Sequence, residues 1–169
     1  MTRFAIALGS NQGDRMDHLR RAVAEIDELG SVEEVSALYE TEPVGGPAQA
    51  PYLNAVVVLE TTSLPQDLLT ALHRIEAVHH REREERWGPR TLDLDIVAMG
   101  GTSIRAPDLE IPHPRAAERR FVLDPLCDVW PDAMVGDGLT AAAAAARVDV
   151  TDQEVVRLAA NWLEDEPDR

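Results

Sequence analysis

The chain of 169 residues contains no lysine, since all 16 of its basic residues are arginines. A Walker-type phosphate loop needs a lysine and Schiff-base catalysis needs an amine, so both chemistries are excluded. Any phosphate that this chain binds must therefore be contacted by arginine. Nine of the arginines fall between Arg74 and Arg120, although most of the remaining chain is acidic.

Cysteine and long apolar runs are also scarce. The single cysteine, Cys127, excludes an internal disulfide and a multi-cysteine metal cluster, and its apolar neighbours predict an inert buried thiol. No stretch is long and apolar enough to cross a bilayer, and the N-terminus lacks the regions of a signal peptide. We therefore expect a cytoplasmic protein.

Positive charge is in short supply overall, because the net charge is −15. This charge repels polyanions and argues against binding of nucleic acid or an anionic membrane. We expect a monomer with small-molecule partners. The length and the 44% hydrophobic content are typical of one globular domain over residues 1–169.

Apolar periodicity predicts the order strand, helix, strand, strand, helix, strand. This order favours an α+β fold with a ferredoxin-like core, in which helices pack on one face of an antiparallel sheet, with added strands and a C-terminal helix. Residues 42–51 are too rich in proline and glycine for regular structure. Residues 139–169 are predicted to form a helical cap that ends in a polar tail, with the apolar positions of 155–163 read as one helix face.

The most informative segment is Arg86–Ile96, which contains an Asp-x-Asp pair. In a strand Asp93 and Asp95 point to the same face, about 6 to 7 Å apart, while Leu94 and Ile96 point to the other. Two carboxylates so placed can hold divalent cations, and magnesium is the natural candidate. Taken alone, the pattern also fits an amphipathic strand with a solvated face.

Arginines flank this acidic pair on both sides in the sequence. Guanidinium groups together with Mg²⁺ can neutralise a polyphosphate chain, so the combination favours nucleotide binding. For each arginine alone, a surface ion pair with a nearby glutamate is the competing interpretation. The flanking arginines are Arg81, Arg83, Arg86 and Arg90 before the pair, and Arg115, Arg119 and Arg120 after it.

A second group of residues suits a flat polar ligand. Asn54 offers a donor and an acceptor to the edge of a heterocycle, and Tyr52 or Trp87 can stack on its face. Both aromatics also fit positions in the core or at its rim. His113, held between two prolines, could contact phosphate or serve a structural hydrogen bond.

In order along the chain, four blocks resemble the 6-hydroxymethyl-7,8-dihydropterin pyrophosphokinase family, over residues 5 to about 127. The blocks are Ala7-Leu-Gly-Ser-Asn11 with Gly13-Asp14; Tyr39-x-Thr41-x-Pro43 with Tyr52-Leu-Asn-Ala55; Arg86 to Ile96; and Ile111-Pro-His-Pro114 with Arg119-x-Phe121. The resemblance implies transfer of the β,γ-diphosphoryl group of Mg-ATP to the pterin hydroxymethyl oxygen, with release of AMP, in folate biosynthesis.

The resemblance also implies roles for individual residues. Asp93 and Asp95 would hold two Mg²⁺ ions and, with Arg81 and Arg90, form the catalytic set. The pterin pocket would comprise Thr41, Pro43, Val44, Tyr52, Asn54, Trp87 and Phe121. The ATP contacts would be Glu76, Arg81, Arg83, Arg86, Trp87, Arg90, Ile96, His113 and Arg119.

One segment departs from the family pattern. Residues 79–85 are about one residue short and lack the usual glycine before the first arginine, so closure of this loop over ATP is expected to be altered. The alternative function is a non-catalytic ferredoxin-like module that senses a nucleotide or a metal, because this fold serves many functions. RNA binding on the sheet face conflicts with the net charge of −15.

Overall fold

A computed structural model describes residues 1–42, 48–79, 91–136, 138–149, 151 and 153–164. The strands are β1 (Thr2–Ser10), β2 (Ser31–Val35), β3 (Leu38–Thr41), β4 (Tyr52–Thr61), β5 (Asp93–Met99), β6 (Ile104–Ala106), β7 (Leu109–Ile111), β8 (Met134–Gly136), β9 (Leu139–Thr140) and β10 (Val155–Ala159). The helices are α1 (Arg15–Asp27), α2 (Pro65–Val78), α3 (Arg120–Val129) and α4 (Ala141–Arg147), with a 3-10 turn at Ala116–Glu118.

The described strands form a six-stranded antiparallel sheet in the order β10-β3-β4-β1-β5, with β2 also pairing with β4. Two small hairpins, β6-β7 and β8-β9, stand beside it. The predicted order strand, helix, strand, strand, helix, strand is confirmed, except that the second strand is divided at Ser36. The arrangement is an α+β fold compatible with a ferredoxin-like core.

Helices cover both faces of the sheet, whereas the sequence predicted one covered face. On one face, α1 and α2 pack on alternate residues of the strands, including Ile6, Val57 and Leu94. On the other face, α3 packs on the intervening residues, including Val56, and α4 packs against α3 in the same apolar cluster. The central strands are therefore apolar on both sides, which removes the simple alternation of an exposed sheet.

The segment at 155–159 was predicted to be helical and is instead strand β10, so this prediction was wrong. β10 pairs with β3, whose edge it covers, and Val156 remains 47% exposed. The helical prediction failed because its apolar spacing fits a helix, whereas pairing with a distant strand decides the structure. Residues 141–147 are helical as predicted, and the predicted polar end, 165–169, lies outside the described residues.

Trp162 ties the C-terminal segment to the sheet. It is 3% exposed, and its indole nitrogen donates a hydrogen bond to the carbonyl oxygen of Ser36 at 2.9 Å. The Arg20 guanidinium donates to the carbonyl oxygens of Trp162 and Glu164 from α1. None of the described helices is long and apolar enough to cross a membrane.

Candidate active site

Asp93 and Asp95 share the face of β5 that is turned away from α1 and α2, as the alternation predicted. Leu94 and Ile96, which are 2% and 4% exposed, point into the core beneath α1 and α2. The neighbouring strand β1 places Gly9 opposite Asp93 and Ala7 opposite Asp95. Both aspartates are only partly buried, and their strand lies at an edge of the sheet.

Asn54 and Tyr52, two of the residues that were expected to bind a heterocycle, lie on this face. Asn54 lies opposite Gly9, and Gly9 lies opposite Asp93, so one row of paired residues crosses three strands. Directly opposed residues of an antiparallel pair project to the same face. Asn54 and the acidic pair are therefore separated by a single strand, about 10 Å at the usual strand spacing.

Gly9 keeps the space between these two groups open. A Cβ atom at this position would lie 3.2 Å from the Asn54 Oδ1 atom and 3.7 Å from a ring carbon of Tyr52. Any larger residue would fill the middle of the row. The motif that contains Gly9 was recognised in the sequence, but the role of the glycine was missed because only the strand pairing reveals its neighbours.

Asn54 and Thr41 form the amide end of the site. The Asn54 side-chain NH₂ donates a hydrogen bond to the Thr41 hydroxyl at 2.8 Å, and both residues are 6% exposed. Tyr52 pairs with Thr41 across β3 and β4 and is partly exposed. The structure thus brings together three of the residues that were expected to contact the pterin.

The start of α3 supplies the opposite wall. Arg119 precedes the first helical residue, and its guanidinium carbon lies 5.5 Å from the centroid of the Phe121 ring. Such a cation–π arrangement favours one orientation of the guanidinium. Burial lowers the pKa of Arg119, and the guanidinium of Arg115 lowers it further, whereas the carboxylates of Asp95 and Asp93 raise it. Arg119 therefore lies within electrostatic reach of the acidic pair.

His113 lies beside Arg119 after a cis peptide bond between Ile111 and Pro112. Its backbone N–H donates to the Val97 carbonyl oxygen at 3.2 Å, which anchors the turn to β5. The backbone N–H of Arg115 donates to His113 Nδ1 at 3.2 Å, so the neutral ring carries its proton on Nε2.

The electrostatic surroundings also favour neutral His113. Burial lowers its pKa from the ordinary value of 6.5, and the guanidinium of Arg119 lowers it further, while the nearby carboxylate of Asp93 opposes both effects. His113 is therefore an uncharged N–H donor near neutral pH. A donor of this kind suits a phosphate oxygen.

Glu76 links α2 to β5 on the face of the sheet opposite to Asp93 and Asp95. The carboxylate accepts a hydrogen bond from the Leu94 backbone N–H at 3.3 Å, and the residue is 2% exposed. Leu94 lies between the two aspartates, so Glu76 fixes the edge strand at the position from which both carboxylates project.

The structure restricts one further prediction. The Ile96 side chain is buried in the core, so a contact between Ile96 and a nucleotide would have to involve its main chain. Several predicted site residues lie outside the described residues. These are Pro43, Val44, Arg81, Arg83, Arg86, Trp87 and Arg90.

The acidic pair fits Mg²⁺ only together with a ligand. Among the described residues, no group of three or more histidine, cysteine, aspartate or glutamate side chains is placed to hold a metal ion. Two carboxylates are nevertheless the usual protein share of a Mg²⁺ site whose other ligands are phosphate oxygens and water. Asp93 and Asp95 therefore match a metal that is held jointly with a nucleotide.

Comparison with known proteins gives concordant results. A sequence model of the family described as 7,8-dihydro-6-hydroxymethylpterin-pyrophosphokinase (HPPK) matches residues 5–131. The Bacillus subtilis protein named 2-amino-4-hydroxy-6-hydroxymethyldihydropteridine pyrophosphokinase is 48% identical over 126 residues, which cover 73% of this chain and 75% of the relative. A Methylorubrum extorquens protein of the same name is 40% identical over 151 residues, which cover 88% and 95%.

Solved structures of HPPK-DHPS proteins share the fold. One, in complex with substrates, superposes with a TM-score of 0.66 at 14% identity, covering 86% of this chain and 43% of that one. The wild-type Plasmodium falciparum protein gives 0.64 at 15% identity, covering 87% and 43%. The chain thus spans less than half of these two proteins. The family match and the pyrophosphokinase relatives, taken with the site, show that the chain belongs to the 7,8-dihydro-6-hydroxymethylpterin-pyrophosphokinase family.

Proposed function

We propose that this protein transfers the β,γ-diphosphoryl group of ATP to the hydroxymethyl oxygen of 6-hydroxymethyl-7,8-dihydropterin, a step of folate biosynthesis. The observation that carries the proposal is the row Asn54, Gly9, Asp93. It sets a buried amide and a pair of carboxylates on one face of the sheet with an open position between them. A heterocycle at the amide end would present its substituent toward the carboxylates.

The amide end recognises the heterocycle. Because the Asn54 NH₂ group is oriented by Thr41, its carbonyl oxygen is held over Gly9, where it can accept from a ring N–H. Tyr52, beside Gly9, and Phe121, in the first turn of α3, are both partly exposed and offer aromatic surface for stacking. A flat, polar bicyclic ring meets both requirements.

The opposite end binds the phosphates. Asp93 and Asp95 would hold two Mg²⁺ ions, which neutralise the charge of the transferred group. Arg119 and the Nε2–H of His113 donate to phosphate oxygens from the wall formed by α3 and the turn before it. Positioning and neutralisation are the main contributions that a protein makes to phosphoryl transfer.

In the reaction, the hydroxymethyl oxygen forms a bond to the β-phosphorus, and the bond from that phosphorus to the α,β-bridging oxygen breaks. AMP leaves with the bridging oxygen, and the hydroxyl proton is released to solvent or to AMP. Arg119 stays charged throughout, because a guanidinium does not titrate near neutral pH. It therefore neutralises phosphate charge without taking part in proton transfer.

The competing function is a nucleotide- or metal-sensing module without catalysis. Such a module has no need for an amide pocket that faces the carboxylates across one strand. The named pyrophosphokinase relatives also favour the enzyme. We further propose that the protein acts as a monomer on these two small molecules.

The test is AMP release from Mg-ATP by the purified protein, with and without the pterin. Asp95→Asn removes one carboxylate charge at nearly constant shape and is expected to lower the rate at least 100-fold, because a ligand of the metal is lost. Asp132→Asn makes the same chemical change at an exposed position after α3 and serves as the matched control.

Pterin-dependent AMP release that is lost in Asp95→Asn and retained in Asp132→Asn supports the proposal. Folded protein that binds ATP yet releases no AMP with pterin would instead assign the chain to the sensing module. Equal activity in both variants would remove Asp95 from the metal site while leaving the reaction in place.

A further inference from the structure

Gln153 lies between α4 and β10, 22 residues beyond the end of the family match at residue 131, and contacts the site wall. Its side-chain oxygen accepts a hydrogen bond from the Arg120 backbone N–H at 2.8 Å. Its side-chain NH₂ donates to the Glu118 carbonyl oxygen at 2.9 Å. One amide therefore binds the main chain on both sides of Arg119.

A third hydrogen bond adds to the two that the Gln153 side chain makes. The Arg120 guanidinium donates to the Gln153 carbonyl oxygen at 3.0 Å and also bonds Asp124 on α3. Gln153 is thus held through its side chain and its main chain. A glutamine with both amide ends engaged loses its rotational freedom and can define the position of what it binds.

Arg119 needs such support because it lies at a break between two helical segments. The 3-10 turn ends at Glu118, α3 begins at Arg120, and Arg119 itself is extended with φ −109° and ψ 109°. Because Arg119 lies outside both helical segments, the hydrogen bonds of the residues on either side of it help to set the direction in which its side chain leaves the main chain. The observed backbone directs the guanidinium past the Phe121 ring toward Asp93 and Asp95.

The first turn of α3 has no side-chain cap of its own. The Arg120 N–H is one of the helix N-terminal donors that intrahelical bonds leave without a partner, and Gln153 provides the acceptor. Loss of Gln153 would loosen the helix start and the residue that precedes it.

We propose that Gln153 is a positioning residue for Arg119, so that the segment before β10 sets the geometry of the phosphate-binding wall. This inference rests on the proposed function, in which Arg119 contacts the phosphates of ATP. Gln153 touches no reacting group itself. Its effect on the reaction passes through the direction of one guanidinium.

The experiment compares Gln153→Met, which keeps the length of the side chain and removes both hydrogen bonds, with Gln66→Met. Gln66 also makes a side-chain hydrogen bond, to Asp108, but lies in the first turn of α2 and outside the site. Gln153→Met is expected to lower kcat/KM for ATP about tenfold with little change in KM for the pterin. Gln66→Met is expected to leave both constants within about twofold of wild type.

A double-mutant cycle separates positioning from general damage. In an Arg119→Ala background, Gln153→Met is expected to cause no further loss, because the group that it positions is gone. An undiminished tenfold loss in that background would overturn the inference. A full loss of pterin affinity, or no effect of Gln153→Met in the wild-type background, would overturn it as well.

Nucleotide affinity keeps this test independent of the reaction. Mg-ATP binding is measured by calorimetry for the same four proteins of the cycle. If wild type binds Mg-ATP but releases no AMP with the pterin, the proposed function fails, and the inference is judged on affinity alone. A lower affinity of Gln153→Met for Mg-ATP, with no further decrease when the change is added to Arg119→Ala, supports the inference. Equal affinities of all four proteins overturn the inference.

Discussion

The Asn54 side-chain amide donates a 2.8 Å hydrogen bond to the Thr41 hydroxyl across β3 and β4, and this bond fixes which way the amide faces. With the NH₂ group engaged, the oxygen lies over Gly9, at 3.2 Å from the position of a Cβ there. In the proposed function, recognition of the heterocycle edge by Asn54 would therefore depend on the hydroxyl of Thr41.

Thr41→Val tests this dependence. The valine keeps the shape of threonine but removes the acceptor, which leaves a buried NH₂ group without its partner and costs about 1–3 kcal/mol of unfolding free energy. KM for the pterin is expected to rise about tenfold while kcat changes little, because the amide can then rotate. Steady-state kinetics and urea unfolding provide the two readouts.

Thr61→Val is the matched control for this variant. Thr61 is also buried, and its hydroxyl donates to the Leu29 carbonyl oxygen at 2.7 Å at the far end of β4. Thr61→Val should lose a similar amount of unfolding free energy without any change in KM for the pterin. An increase in KM in both variants would attribute the effect to the stability of the sheet.

Gly9→Ala tests the open position between the amide and the carboxylates. The new methyl would approach the Asn54 oxygen to 3.2 Å and occupy the space in which the proposed function places the heterocycle. We expect pterin KM to rise at least tenfold, since an overpacked contact costs about 1–3 kcal/mol. Gly100→Ala, whose Cβ would have its nearest neighbours at 3.7 Å, should behave as wild type in the same assay. Unchanged pterin KM in Gly9→Ala would place the heterocycle elsewhere.

Metal binding is expected to depend on the nucleotide. The described residues offer two neighbouring carboxylates and no group of three ligands, so Mn²⁺ alone should bind weakly, with a Kd of about 1 mM or higher. Addition of a non-hydrolysable ATP analogue should tighten the binding at least tenfold, as followed by electron paramagnetic resonance. Tight Mn²⁺ binding without nucleotide would mean that residues outside the described ranges complete the site.

The orientation of the acidic strand was predictable because its signal is local. The alternation of Asp93 and Asp95 with Leu94 and Ile96 fixes the faces of β5, and the structure confirms it. The division of the second strand at Ser36 was not predictable, because the serine hydroxyl replaces a ladder bond by accepting from the Val56 N–H.

Other features depend on pairs that are distant in the sequence. Gln153 and Arg120 are 33 residues apart, and no periodicity connects a single glutamine to a helix start. His18 and His79 are 61 residues apart in the sequence, yet their Nδ1 atoms lie 2.8 Å apart. The histidine contact forms because α1 and the end of α2 pack side by side.

The His18–His79 contact predicts a pH dependence of stability. One Nδ1 must donate and the other accept, so the pair cannot remain bonded when both rings are protonated. His79 is 1% exposed and its Nε2 lies 2.8 Å from a Glu25 carboxylate oxygen. Burial lowers the pKa of His18 from 6.5, His79 and Arg21 lower it further, and Asp17 and Asp14 oppose them.

Because the pKa of His18 is lower in the folded protein, the unfolded chain binds more protons as the pH falls. The stabilisation is therefore complete above pH 6.5 and decreases as the pH falls through 6.5 toward the folded value. Urea unfolding at pH 7.5 and pH 5 should show this decrease, and His18→Gln should reduce it. His73→Gln, at an exposed position of α2, should keep the wild-type slope. If unfolding free energy changed equally with pH in all three proteins, His18 would be excluded as a source of the pH dependence.

Trp162→Phe tests the attachment of the C-terminal segment. The change removes the indole donor to the Ser36 carbonyl oxygen and some buried apolar surface, so unfolding free energy should fall by about 1–3 kcal/mol. Trp130→Phe is the control, since Trp130 is only partly buried and stacks with Arg3. Equal losses in the two variants would show that the hydrogen bond to Ser36 contributes little.

The position of β10 at the sheet edge has a consequence for folding of the chain during translation. β3 is made early, whereas the strand that covers its edge is translated more than 110 residues later. Until that strand emerges from the ribosome, β3 presents uncovered backbone donors and acceptors to other nascent chains. Pairing with β10 therefore prevents the edge of β3 from pairing with another chain. Slow translation between β5 and β10 would prolong the interval in which intermolecular pairing competes with folding.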